Sequence, residues 1–183
     1  MKFNPLQVIL KNGKTVEIRE AQSDDAEKLI ETAKSVLRTS AYMCSYENEF
    51  NPTLEEEEGW IKMHDQANSL LLITTYENEI LSIFNATGFQ NQKMKHIAVL
   101  GISVVEDWRG LGLGNILFEQ LIRWAKNNTE LEILVLEVFS GNTKAIDLYK
   151  KYGFVIDGTR KNYFKESTGE YNDDVFMSLN VKA

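Results

Sequence analysis

A chain of 183 residues, 43% of them apolar and 26% charged, has the composition of an ordinary folded protein, long enough for one well-filled domain, residues 1–183, and short for two. Its net charge of −7 argues against a nucleic-acid surface, its apolar runs are too short to span a membrane, and the start Met1-Lys-Phe-Asn-Pro lacks the apolar segment of a signal peptide, so a cytoplasmic protein is expected. One cysteine, Cys44, excludes an internal disulfide, and with only His64 and His96 beside it no metal site is expected.

The runs Leu6-Gln-Val-Ile-Leu and Thr15-Val-Glu-Ile-Arg flank an Asn12-Gly13 pair, a strong hairpin signal, so two paired strands open the chain. Ser23-Asp-Asp predicts a helix over residues 23–37, its acids set against the positive end of the helix dipole. Thr53-Leu-Glu-Glu56 is a capping box that opens a second helix reaching residue 65 or 66, and its glutamates, 55 to 58, read as a solvated first turn. Residues 70–76 and 80–86, joined by Glu77-Asn-Glu, predict a second hairpin, and residues 95–105 a long central strand that begins near His96.

That strand runs into Arg109-Gly-Leu-Gly-Leu-Gly114-Asn115 and straight on into a helix over residues 110–126, with Leu113, Ile116, Leu117, Leu121, Trp124 and Ala125 along one apolar stripe. Glycines at 110, 112 and 114 let the backbone turn tightly with no Cβ between it and a ligand, while the helix start offers unpaired N–H groups and a partial positive charge. A diphosphate suits that cradle. A dinucleotide-binding turn is the rival, with Glu130 and Glu132 downstream, but its third glycine would have to stand where the chain has Asn115, and no Gly-Lys-Ser/Thr follows for a Walker loop.

Residues 133–138 predict a nearly all-apolar strand interrupted by Glu137. A carboxylate in that setting is either desolvated, with its pKa raised toward a useful range, or paired with a lysine or arginine at the sheet surface. Asn142 caps a helix to Lys151, ended by Gly153, and Tyr149 lies nearly two turns on from Asn142 along the same face. Two closing strands, residues 154–164 and 171–180, turn at Ser167-Thr-Gly169. Cys44 lies far along the chain from both motifs and reads as a reduced, partly buried side chain.

Two segments together resemble the GCN5-related N-acetyltransferase (GNAT) superfamily. Arg109-x-x-Gly112-x-Gly114 is similar to its cofactor loop, and Asn142-x-x-Ala145-x-x-Leu148-Tyr149 followed by Gly153-Phe154 to its second cofactor element; the two cover residues 97–156, about a third of the chain. The resemblance implies an α/β fold with a mixed central sheet of about seven strands, splayed after the fourth and flanked by four helices. It implies acetyl-CoA as co-substrate. Backbone groups of Ile102, Ser103 and Val104 would run along the pantetheine arm, and Arg109, Gly110, Leu111, Gly112, Leu113, Gly114 and Asn115 would hold the pyrophosphate. Asn142, Ala145 and Tyr149 would stand beside the arm, with Tyr149 donating to the leaving thiolate; a core tyrosine is the alternative.

The implied activity is direct acetyl transfer, in a ternary complex, to a primary amine of a small molecule. A protein or peptide acceptor and a non-catalytic acetyl-CoA-binding module are the alternatives. Glu137, twelve residues before Tyr149, matches the glutamate proposed as base in the branch acetylating protein N-termini, although ordered water serves that role in many relatives. Tyr42, Met43, Tyr46, Glu47 and Phe50 fall where relatives build the acceptor pocket, and the tail from Gly158 to Asp173 resembles bacterial members acting on amino acids or peptide termini. Homodimers are common among such proteins, so a homodimer is a possible assembly.

Overall fold

The opening hairpin forms at Asn12-Gly13 as β1 (Leu6–Ile9) and β2 (Thr15–Glu20), with Gly13 at φ 80° supplying the left-handed turn residue. The computed structural model describes residues 2–182; Met1 and Ala183, the ends of the expected domain, lie outside the described residues. The first helix, α1 (Ala26–Thr39), starts later than the Ser23 signal suggests, because Ser23–Asp25 forms a tighter 3₁₀ turn. There the Asp25 carboxylate accepts the Gln22 N–H at 2.8 Å and both ends of the Arg19 guanidinium at 2.7 and 2.8 Å. These bonds hold Asp25 below the usual carboxylate range against its own burial.

Thr53 and Glu56 close the capping box reciprocally, at 3.2 and 2.7 Å, and launch α2 (Leu54–Met63). The second hairpin, β3 (Leu70–Tyr76) and β4 (Glu79–Gly88), turns through Glu77 and Asn78 at positive φ. Then come β5 (Ile97–Val104), α3 (Leu113–Asn127), β6 (Ile133–Phe139), α4 (Thr143–Lys151), β7 (Val155–Lys165) and β8 (Tyr171–Asn180). The four expected helices are all present, and none is long and apolar enough to cross a membrane among the described residues.

All strands join one sheet in the order β1-β2-β3-β4-β5-β6-β8-β7. It has eight strands where about seven were expected, because the opening hairpin adds both of its strands to one edge; the splay therefore follows the fifth strand. Neighbours are antiparallel except β5 and β6, whose parallel pairing is limited to Ile97↔Ile133, Ala98↔Leu134 and Val99↔Val135. Beyond Val99, β5 stays with β4 as far as Val104, while β6 stays with β8 as far as Phe139. A wedge opens between two strands that each keep their outer partner.

Side-chain alternation in β3 explains its unbroken apolar run: Leu70 and Leu72 face the α3 side, Leu71 and Ile73 the α1 and α2 side. Phe118 of α3 centres the larger cluster, with Phe84 at 4.9 Å, Tyr149 at 5.2 Å, Tyr152 at 5.7 Å and Phe154 at 6.1 Å between ring centroids. That cluster fixes the position of α4, and hence of Tyr149, relative to the sheet.

Candidate active site

Beyond the wedge the chain turns back through Gly110 and Gly112, at φ 76° and 95°, a region that costs a residue with a Cβ. Helix α3 then opens on Gly112 with no side-chain cap and no acidic residue in its first turn. Its first backbone bond runs from Ile116 N–H to the Gly112 carbonyl at 3.3 Å, so the amides of Leu113, Gly114 and Asn115 point forward as donors. Gly114 serves a different purpose: a Cβ there would stand 3.2 Å from Leu148, so its absence lets α3 and α4 close together.

Two cations flank this turn that sequence reasoning did not find. The stem of Lys11 lies against Gly112, and the Lys151 ammonium bonds Asn115 Oδ1. Their only local signals are the basic residue before Asn12-Gly13 and the lysine pair ending α4; nothing in the sequence says that both ends fold onto the glycine turn. Asn115 thus commits its side-chain oxygen to Lys151 and its carbonyl to the Tyr152 hydroxyl at 2.8 Å, leaving its N–H donors for an anion.

Arg109 departs from expectation. Its Nε donates to the Val104 carbonyl at 2.9 Å, and its two terminal nitrogens to the carbonyl and hydroxyl of Thr39, each at 3.0 Å. The end of α1 leaves carbonyls without helical partners, and the guanidinium satisfies one of them. Arg109 therefore anchors the turn to α1 through three of its five N–H groups.

The wedge holds a cleft of about 600 Å³, with Gly101, Ile102 and Ser103 on one wall and residues 136–139 on the other. Alternate backbone groups of β5 beyond Val99 face this opening with no strand to pair them among the described residues. Val104 has already given its carbonyl to Arg109, so its contribution to that edge is partial. Asn142 caps α4 by accepting the Ala145 N–H at 3.3 Å and lines the cleft; Ala145 packs toward the core. Tyr149 also lines it, 7% exposed, with no protein partner for its hydroxyl among the described residues. Burial pushes that hydroxyl up to about 12.

Of the two readings open for Glu137, the structure has the carboxylate paired at the sheet surface. Strand alternation sends Leu136 and Val138 to the core and Glu137 to the other face, where it is half exposed and paired with Arg160 at 2.7 Å. Arg160 also bonds the buried Asp174 and stacks over Phe176 at 4.0 Å and Tyr163 at 3.7 Å. Cys44, distant in sequence, lines the same cleft. It is exposed there and not partly buried as expected, yet desolvation by the surrounding wall, then the charges of Asp174 and Glu137, push its thiol up, which keeps it protonated and a poor nucleophile.

Of the aromatic loop, Tyr42, Met43 and Phe50 reach the cleft. Tyr46 and Glu47 do not: the Tyr46 hydroxyl donates to Glu166 at 3.2 Å and accepts the Ser167 N–H at 2.8 Å, while Glu47 pairs with Arg38. Both fasten the loop down. Glu57, read as solvated, is instead buried and lines the cleft, as does Asn85. Its signal was available in the spacing Glu57, Trp60, Ile61, His64, which repeats every three or four residues.

Residues 37–154 match the sequence profile of the acetyltransferase (GNAT) family. The L-amino acid N-acetyltransferase AaaT of Escherichia coli (strain K12) is 30% identical over 117 residues, 64% of this chain and 72% of that protein. N-alpha-acetyltransferase 50 of Danio rerio is 36% identical over 76 residues, 42% of this chain and 44% of that protein. A crystal structure of a GNAT-family acetyltransferase from Streptococcus pneumoniae superposes with a TM-score of 0.86 at 30% identity, over 90% of this chain and 99% of that one. The chain belongs to the acetyltransferase (GNAT) family. It is an N-acetyltransferase, and acetyl-CoA is its donor substrate.

Proposed function

We propose that the chain, acting as one catalytic domain, moves the acetyl group of acetyl-CoA directly to a primary amine of a small molecule. The observation that carries this reading is the wedge itself, a cleft that joins the open edge of β5 to the Tyr149 hydroxyl, which has no partner among the described residues, while β5 leads on through the glycine turn to the uncapped start of α3. Backbone groups of Ile102, Ser103 and, in part, Val104 would pair with the pantetheine arm, with Asn142 and Ala145 beside it. The amides from Gly110 to Asn115 would receive the pyrophosphate, with Lys11 and Lys151 adding positive charge in a chain that is acidic overall.

Tyr149 is assigned to the thioester sulfur. A hydroxyl at about 12 faces a thiol near the ordinary value of about 8.5, so full proton transfer to the thiolate is uphill by about 5 kcal/mol. Its role is therefore a hydrogen bond to the charge developing on sulfur, and the thiolate takes its proton from the attacking amine. Direct transfer follows from the state of Cys44, the cleft's one thiol among the described residues, held protonated beside two carboxylates. Glu137, neutralised by Arg160, is assigned to the architecture of the wall and not to proton abstraction.

A protein N-terminus is the second reading, favoured by the 36% identity to N-alpha-acetyltransferase 50. Thiol release from acetyl-CoA over a panel of small amines, amino acids and short peptides separates the two: turnover of small amines is expected, and turnover confined to peptides selects the second. No turnover of any amine contradicts both.

A further inference from the structure

Glu57 sits in a run of four glutamates, and it differs from the others in where it points. It is 7% exposed, it lines the cleft, and its carboxylate has neither ion pair nor hydrogen bond among the described residues. Desolvation alone raises its pKa. Its oxygens still open onto the cleft, and an unpaired carboxylate held in so desolvated a place is costly, which folds accept where the partner arrives from outside.

The rest of the wall says what kind of partner fits. Three glutamates line the cleft, and no lysine, arginine or histidine does among the described residues. Glu56 is committed to the Thr53 N–H and Glu137 to Arg160, which leaves Glu57. Leu37, Phe50, Trp60 and Ile83 make the remaining lining near α1 and α2 apolar. A free amino acid would bring its own carboxylate into a space with no cation to meet it.

A second acceptor atom is fixed by a chain of hydrogen bonds beneath α2. His64 Nδ1–H donates to the Trp60 carbonyl at 2.9 Å, and burial lowers the imidazole pKa, so the ring is neutral and Nε2 must accept. It accepts from the Thr87 hydroxyl at 2.9 Å, which in turn accepts from Asn85 Nδ2 at 3.1 Å. The Asn85 amide is thereby oriented, with Oδ1 over Gly101, its partner across β4 and β5; a Cβ on Gly101 would stand 2.6 Å from that oxygen. Both Asn85 and Gly101 line the cleft.

We infer that Glu57 is the carboxylate that receives the acceptor's ammonium group, with Asn85 Oδ1 as a second acceptor, and that the acceptor is a carboxylate-free primary amine on an apolar body. This rests on the acetyl-transfer reading above. The ammonium gives one proton to Glu57, becoming a neutral amine whose lone pair forms the C–N bond to the acetyl carbon. The C–S bond breaks, its electrons leave on sulfur, and the thiolate takes a second proton from the new amide nitrogen. Glu57 returns its proton to solvent when product leaves.

The test compares phenethylamine with L-phenylalanine and tryptamine with L-tryptophan, alongside a short peptide, for wild type, Glu57→Gln, Glu57→Asp and Asn85→Ala. Acetyl-CoA affinity is measured separately by calorimetry. Each amine is expected to exceed its amino acid by about a hundredfold in kcat/KM, and Glu57→Gln to lose about a hundredfold or more on the amine, the range for removing one partner of a buried charge pair. Glu57→Gln should also lose the acidic limb of the pH profile, keep its acetyl-CoA affinity, and be partly rescued by Glu57→Asp, none of which a merely structural glutamate would show. Asn85→Ala should raise KM for the amine more than it lowers kcat. Unchanged kinetics in Glu57→Gln overturns its assignment, and a preference for amino acids or peptide termini overturns the acceptor class. If wild type turns over no amine while binding acetyl-CoA, the acetyl-transfer reading itself fails and this inference falls with it.

Discussion

Three side chains in the cleft carry unusual protonation demands, and each gives a separate expectation. Cys44→Ser should leave turnover within about twofold and preserve a ternary-complex pattern in two-substrate kinetics, since a protonated thiol carries no acetyl group; a large loss would put Cys44 back in the reaction. Glu57 has a folded pKa above its unfolded one, so its effect on stability is absent below the unfolded value and unfavourable once pH rises through the folded value. Glu57→Gln should accordingly melt higher than wild type at neutral pH, with the gap closing on acidification. Equal melting temperatures at neutral pH would mean the carboxylate has found a partner. Tyr149, at about 12, adds no alkaline limb to activity in the neutral range. Tyr149 and Asn142 were legible in the sequence because helical spacing fixes their shared face. Glu57 was masked by the capping box in the same turn, and Arg109 by a partner, Thr39, that stands seventy residues earlier in the chain. Glu137 stayed between two readings because a mostly apolar strand suggests two buried faces, and only its pairing with Arg160 across the sheet surface decides for the paired one.

Helices α3 and α4 form the unit that carries the cofactor motifs, and their packing is sensitive to single residues. Phe118→Ala removes the ring at the centre of the aromatic cluster and should cost about 3–5 kcal/mol in chemical denaturation. A cost under about 1 kcal/mol would mean the cluster can collapse around the gap. Gly112→Asp combines an unfavourable φ with a carboxylate among the free amides, and should weaken acetyl-CoA binding tenfold or more by calorimetry; retained affinity would remove the pyrophosphate from this turn. Most elements were readable from turn chemistry and periodicity, including both closing strands and the cap of α4. Helix α3 begins at Leu113 and not Gly110 because two glycines at positive φ cannot be helical. That distinction is one of backbone angle, to which an apolar stripe is blind.

The whole molecule turns a sheet defect into a reaction chamber. Three parallel rungs join its halves, and the wedge above them brings together residues from β4, β5, β6, α2, α4 and the loop after α1. Individual strands were predictable from local pattern, but the place where β5 and β6 part depends on α3 crossing between them and on pairing with β4 and β8, which no local window contains. The resemblance supplied the splay; the residues alone did not. The most direct test of the wedge as the site of transfer is the turnover of Tyr149→Phe beside wild type, on an amine that wild type acetylates, with acetyl-CoA affinity measured in parallel. Losing one hydrogen bond to a developing charge should lower kcat about ten- to a hundredfold while affinity for acetyl-CoA stays unchanged. Turnover equal to wild type would place the chemistry away from Tyr149 and contradict the account.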